Sequence, residues 1–317
     1  MKKINFNELL SKTLTYKYVV KSIDWLKHIV LPGFSGVPLY DAIVYFIKGL
    51  IKGKLSIRAS ALSYNFFMAL FPFILFLFTI IAYLPIDSYV PLAYDFIKTA
   101  FPEQAQSMIL KTIDGLLKKN GTLLSVSAIS VFFFATRGVR AMIATFNGTY
   151  HTLETRNGVM QYITAVWLSL VLIVMIIFVM TISIASSQVL KLIMAKKMLR
   201  PFWWALLLSV SKWLLILVAI YVAISLIYYF APAKRKDFKF LSAGSSLSTV
   251  LIALASGGFN YYISHFSRYN AIYGSIGALI IVLLWIQLLS MIILIGFELN
   301  ASISNAKQQE TIKLLNR

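Results

Sequence analysis

Nuclease or hydrolase chemistry needs carboxylates, histidines or an activated nucleophile within reach of one another, and this chain disperses them. Its eleven acids are scattered, its three histidines (His28, His151, His265) lie in different segments, and it has no cysteine. The missing cysteines remove thiolate metal sites, disulfides and cysteine nucleophiles together. Neither a phosphate-binding glycine loop nor an H-E-x-x-H pattern occurs. No catalytic residue, metal site or cofactor is therefore expected.

The residues that can do chemistry are instead polar groups set in apolar runs, where each needs a partner or a wet cavity. Arg137 and Arg140 stand one helical turn apart and share a predicted face with Ala144 and Asn147. Guanidinium forks match phosphate oxygens, so they read either as a lipid-phosphate site or as a topology anchor. Glu298 reads as an interfacial carboxylate paired with one of those arginines, or as a proton-coupling or amine-binding group. Lys212 is either interfacial or in need of a partner. Ser63, Tyr64 and Asn65 fall just inside the start of the first apolar run, followed by a helix-bending Pro72.

Two polar stripes complete the set. Ser242, Ser246, Thr249, Ala253, Ser256, Asn260 and Ser264 recur at steps of three and four, which keep to one helical face. Tyr273, Gly277, Gln287, Ser290 and Glu298 form another. The stripes belong to consecutive helices joined by a short link near His265–Ile272, so an antiparallel hairpin can turn them towards each other. They are then either a wet groove or a small-residue packing face.

The elements that must carry these residues are membrane helices. Of 317 residues 59% are hydrophobic and 13% charged, whereas soluble domains run at about a quarter charged. A span needs about 20 mostly apolar residues, and six stretches qualify: 61–84, 122–150, 159–190, 201–231, 240–264 and 273–303. The predicted class is an all-α integral membrane protein with six transmembrane helices. Residues 1–60 form a basic cytoplasmic and interfacial region, 61–303 the membrane domain and 304–317 a cytoplasmic tail. Residues 38–58 have the pattern of an amphipathic helix lying on the membrane, and 85–121 that of two short outer-face helices divided by Pro102. The first sixty residues lack a secretory signal pattern, and no internal repeat is evident.

Orientation follows from where Lys and Arg fall between spans. With the N-terminus inside, twenty of the thirty basic residues lie on the inner side, which predicts both termini in the cytoplasm. The cluster Lys191, Lys196, Lys197 and Arg200 runs against this bias. The formal charge of +19 is read as orientation plus attraction to anionic headgroups, so anionic membrane lipids are the expected partners and nucleic acid is not. The pattern predicts no oligomeric state.

Three passages together carry a family signature: RASALSYNFFMALFPFILFL at 58–77, FFFATRGVRAMIATFNGTYH at 132–151, and YGSIGALIIVLLWIQLLSMIILIGFELNA at 273–301. They resemble the YihY/BrkB family of bacterial inner-membrane proteins, over about residues 40–303. The resemblance implies six helices with cytoplasmic ends and a location in the bacterial cytoplasmic membrane. Its pattern positions here are Arg58, Ser63, Tyr64, Arg137, Gly138, Arg140, Asn147, Tyr273, Gly274, Gly277, Glu298 and Asn300. It also brings a ribonuclease label that the dispersed catalytic groups do not support. The expected function is a transporter or scramblase-like carrier of an anionic lipid or envelope-lipid precursor. A non-transporting scaffold and a small-solute or ion carrier are the alternatives.

Overall fold

The computed structural model describes residues 24–31, 33–81, 120–148, 156–195, 201–233, 240–265 and 275–315. Among them there is no strand, and seven longer helices follow in order: α1 Leu39–Lys52, α2 Leu55–Ile81, α3 Gly121–Asn147, α4 Gly158–Ala195, α5 Pro201–Phe230, α6 Ala243–His265 and α7 Ser275–Leu315. The outer segment expected at 85–121 falls almost wholly outside the described residues, as does the basic cluster after Ala195.

Local chemistry sets the helix ends. The Asn120 side chain accepts from the Leu123 amide at 3.0 Å and starts α3, and Asn157 does the same for Met160 at 2.9 Å ahead of α4; each satisfies a donor that the first turn leaves unpaired. Asp41 in the first turn of α1 suits the positive end of the helix dipole. The join between α1 and α2 is only Gly53 and Lys54, the latter at φ 47°, a left-handed conformation that side chains other than glycine adopt rarely. That turn brings the start of α2 back beside α1.

Among the described residues, five helices are long and apolar enough to cross a membrane, over Leu55–Phe76, Gly121–Asn147, Gly158–Val179, Val210–Phe230 and Leu279–Gln309. The fifth expected stretch is α6, which is apolar over the shorter range Ala243–Phe259 among the described residues. The first span starts earlier than expected, so Arg58 lies within it. The last helix runs on through residue 303 to Leu315 without a break. At 41 residues it is longer than a hydrocarbon layer of roughly 30 Å requires.

The helices close into a ring. Neighbours pack in the order α2, α3, α4, α5, α6, α7 and back to α2, with α1 laid against α7 from outside. One end of the ring is dense: Leu62, Ile143, Phe146, Leu168, Tyr228, Leu294 and Phe297 are fully buried. There the rings of Phe146 and Phe297 stack at 4.0 Å, and Tyr228 meets both edge-on at 5.8 and 5.9 Å. Further along, a partly open cavity of about 510 Å³ lies among α2, α3, α4 and α5, lined almost wholly by apolar side chains including Phe66, Leu70, Val131, Ile173 and Ile220, with Ser169 its polar member and Ile293 reaching it from α7. Its stretch of α3, Val131 to Met142, is about 16 Å long by helical rise.

The amphipathic helix expected at 38–58 is present as α1, but it does not rest on the membrane alone. Ala42 and Gly49 are buried, and Phe34, Val37 and Ala42 cluster with Ile303 and Ala306 of α7. Ile47 and Ile51 face outwards, so one side of α1 grips α7 while the other stays free for lipid.

Candidate functional site

Arg58 and Glu298 organise the dense end. Glu298 is fully buried and its Oε2 lies 3.6 Å from Arg58 Nη1. The same guanidinium donates from Nη1 to the Gly53 carbonyl at 3.1 Å and from Nη2 to the Thr145 carbonyl at 2.9 Å. One side chain thus ties together the α1–α2 turn, the last turn of α3 and the middle of α7. The expected pairing of Glu298 with Arg137 or Arg140 is replaced by Arg58. The reason is rotational: both α3 arginines point out of the ring, while Arg58, three residues into α2, points in.

Arg137 and Arg140 are exposed and line an outward groove of about 270 Å³ with Asn65 of α2, Ala141 and Ala144 of α3, and Gln161 of α4. The Arg140 guanidinium stands 5.5 Å from the Tyr162 ring, a cation–π contact that orients it. Asn65 donates from Nδ2 to the Ala61 carbonyl at 2.9 Å, which fixes its side chain in the wall. Asn147, expected on the arginine face, turns inwards instead. It is buried and accepts from the Ala233 amide at 3.4 Å, so it belongs to the α3–α5 contact. Arg156 joins the same contact, donating to the Ala231 carbonyl at 2.6 Å.

Among the described residues, most of the two polar stripes do not meet each other. Gln287 turns to α2: its Oε1 accepts from Ser63 Oγ at 2.7 Å and its Nε2 donates to Ser60 Oγ at 3.2 Å. On α6, Ser246, Ala253 and Ser256 are exposed, and the hydroxyls of Ser246, Thr249 and Ser256 bond to carbonyls of their own helix. A different face of α6, carrying Gly244, Ser245 and Ser248, meets α7. A methyl group added at Gly296 would overlap Ser248 Oγ, and one added at Gly244 would overlap the Gly296 carbonyl. Asn300 locks this crossing, accepting from the Gly244 amide at 2.7 Å and donating to Ser242 Oγ at 2.8 Å. Tyr228 of α5 closes it by donating to the Ile293 carbonyl at 2.6 Å, with Ser248 Oγ at 2.7 Å.

Two expected residues stand apart from these groups. Tyr64 is 56% exposed on the outside of α2. Lys212 is half-exposed, eleven residues beyond the start of α5, with no ion pair among the described residues. Tyr273 and the side chain of Asn260 lie outside the described residues. Among the described residues no three His, Asp or Glu side chains gather as a metal site would require.

These features define a multi-pass, all-helical membrane protein with a buried ion pair and an outward arginine groove. The chain belongs to the family described as Virulence factor BrkB, whose model matches residues 46–316. It is similar to the ribonuclease-like protein YfkH of Bacillus subtilis (strain 168), with 28% identity across 79% of this chain and 90% of that one. It also resembles UPF0761 membrane proteins of Aggregatibacter aphrophilus (strain NJ8700), 28% identical over 83% of this chain and 92% of the relative, and of Haemophilus influenzae (strain 86-028NP), 26% identical over 83% and 95%. The ribonuclease wording belongs to YfkH alone among these three. No solved structure matches the chain.

Proposed function

We propose that this protein, set in the bacterial cytoplasmic membrane with both termini inside, moves an anionic lipid or envelope-lipid precursor between leaflets and is not an enzyme. The observation that carries the reading is the groove of Arg137 and Arg140, exposed one turn apart and flanked by the amides of Asn65 and Gln161. Two guanidinium forks offer bidentate donors to a phosphate, and the neighbouring amides add hydrogen bonds to a headgroup. The cavity supports the lipid over an ion or polar solute, since its lining is apolar apart from Ser169, whose hydroxyl donates to the Ala165 carbonyl. Headgroup passage between α6 and α7 is not part of this reading, because their meeting faces are closed at Gly244 and Gly296.

The test is reconstitution in liposomes of mixed phosphatidylglycerol and phosphatidylcholine, following fluorescent analogues of each between leaflets. Protein-dependent movement of the anionic analogue, reduced in Arg137→Gln/Arg140→Gln, is the expected result. No movement of either analogue, with or without a pH gradient, overturns the proposal. The interlocked α6–α7 crossing favours a second reading, a rigid scaffold that recruits envelope enzymes through its basic face; it predicts no lipid movement and co-purification of such enzymes.

A further inference from the structure

We propose that Glu298 is a proton-binding site that exchanges with the aqueous phase along the C-terminal half of α7. Glu298, Ser302, Asn305 and Gln309 follow one another at steps of four, three and four, which places them on one helical face. Exposure rises along that line: Glu298 and Ser302 are fully buried, Asn305 is half-buried and Gln309 is exposed. The Ser302 hydroxyl has no hydrogen-bond partner among the described residues, although Ser302 lies one turn from the carboxylate. A buried unpaired hydroxyl is costly, and here it can both accept and donate a proton beside a titratable group. In the other direction α7 carries Met291, Leu294 and Ile295, with the buried hydroxyl of Ser290 beside them, before it reaches Gln287, whose amide is engaged by Ser60 and Ser63. The polar line from Glu298 therefore runs on to an exposed residue towards Gln309 and is interrupted by apolar side chains towards Gln287.

The partners of Glu298 allow it to lose its charge. Arg58 of α2 is the charged group facing it, and that guanidinium keeps two backbone carbonyls, of Gly53 and Thr145, as acceptors. From α1 the carboxylate meets Gly49, which carries no titratable group. Tyr45 lies one turn away on α1, and the Lys48 ammonium is exposed, 5.8 Å from the Tyr45 ring. From α3 the Thr145 carbonyl meets Arg58, and from α5 and α6 the groups at this level of α7 are the hydroxyls of Tyr228 and Ser248, bonded to each other. A proton arriving from the Gln309 end converts the carboxylate to the acid, cancels the ion pair, and leaves Arg58 a cation held by neutral oxygens. The α1–α7 contact at Gly49 is the seam that feels the change.

This inference does not depend on lipid movement, because its readout is a vibrational band. Full-length protein in liposomes is acidified while the protonated-carboxyl stretch is followed by infrared difference spectroscopy. The expected result is a band that grows on acidification in the wild type and is lost in Glu298→Gln. A Glu298→Asp variant, which keeps a carboxyl, shifts the band and covers the case in which the glutamine variant does not fold. Ser302→Val slows the appearance of the band without removing it. The inference is overturned by a wild type whose carboxyl bands are unchanged by Glu298→Gln and Glu298→Asp, or by unaltered kinetics in Ser302→Val. A purely structural ion pair gives the first of these outcomes.

Discussion

Gly49 of α1 sits directly against the carboxylate of Glu298 on α7: a Cβ built on the glycine would fall where the carboxyl group is. Glycine in mid-helix is disfavoured by about 1 kcal/mol relative to alanine, so its presence here marks a close approach. Gly49→Ala is expected to force α1 away from α7 and lower stability by about 1–3 kcal/mol, as overpacking does. Thermal unfolding of the purified protein measures the loss, and faster proteolysis at residues 33–54 shows that the detached element is α1.

Removing one partner of the buried pair should cost more than removing both. Arg58→Met leaves a buried carboxylate without its cation and is expected to destabilise by about 3–5 kcal/mol. The double variant Arg58→Met/Glu298→Leu should recover part of that, because it leaves no uncompensated charge. A double-mutant cycle on equilibrium unfolding in detergent is the measurement, and strictly additive losses would contradict the pairing.

The hydroxyl of Tyr228 sits where α5, α6 and α7 meet. Tyr228→Phe removes its bonds to Ile293 and Ser248 while keeping the ring against Phe146 and Phe297. The expected loss is about 1–3 kcal/mol, from buried acceptors left unpaired. Ser256→Ala, on the exposed side of α6, should change the same unfolding measurement by no more than about 0.5 kcal/mol.

The exposed arginines should separate binding from stability. Arg137→Gln/Arg140→Gln is expected to leave the unfolding midpoint nearly unchanged, within about 1 kcal/mol, since only the contact with Tyr162 is lost. The same variant should lose its preference for phosphatidylglycerol over phosphatidylcholine among lipids retained on purification, measured by native mass spectrometry. Retained preference would place the headgroup site elsewhere.

Composition and run length were enough to read an all-helical membrane protein, because hydrocarbon admits few backbone solutions and hydropathy registers them directly. Rotation about each helix axis was harder to read. The spacing of Arg137, Arg140 and Asn147 suggested a common face, yet Asn147 lies on the inward side at the end of α3. The serine stripe of α6 was visible as a stripe, but periodicity does not say which of two small-residue faces meets α7. Glu298 was recognisable as an anomaly, whereas Arg58 entered only as a family pattern position and not as its partner, because the basic residues before it made 1–60 look cytoplasmic. The available signal was glycine: Gly49, Gly244 and Gly296, each inside an otherwise regular helix, mark the close approaches that position the buried pair and the α6–α7 crossing.

The unbroken course of α7 has a mechanical consequence. Forty-one residues make a rod of about 60 Å, twice the hydrocarbon thickness, so one rigid body reaches from the interior of the ring well into the aqueous phase. Glu298 lies some 25 Å from the Leu315 end by the same rise. A soluble factor that takes hold of the protruding turns would hold a lever whose short arm is the buried carboxylate.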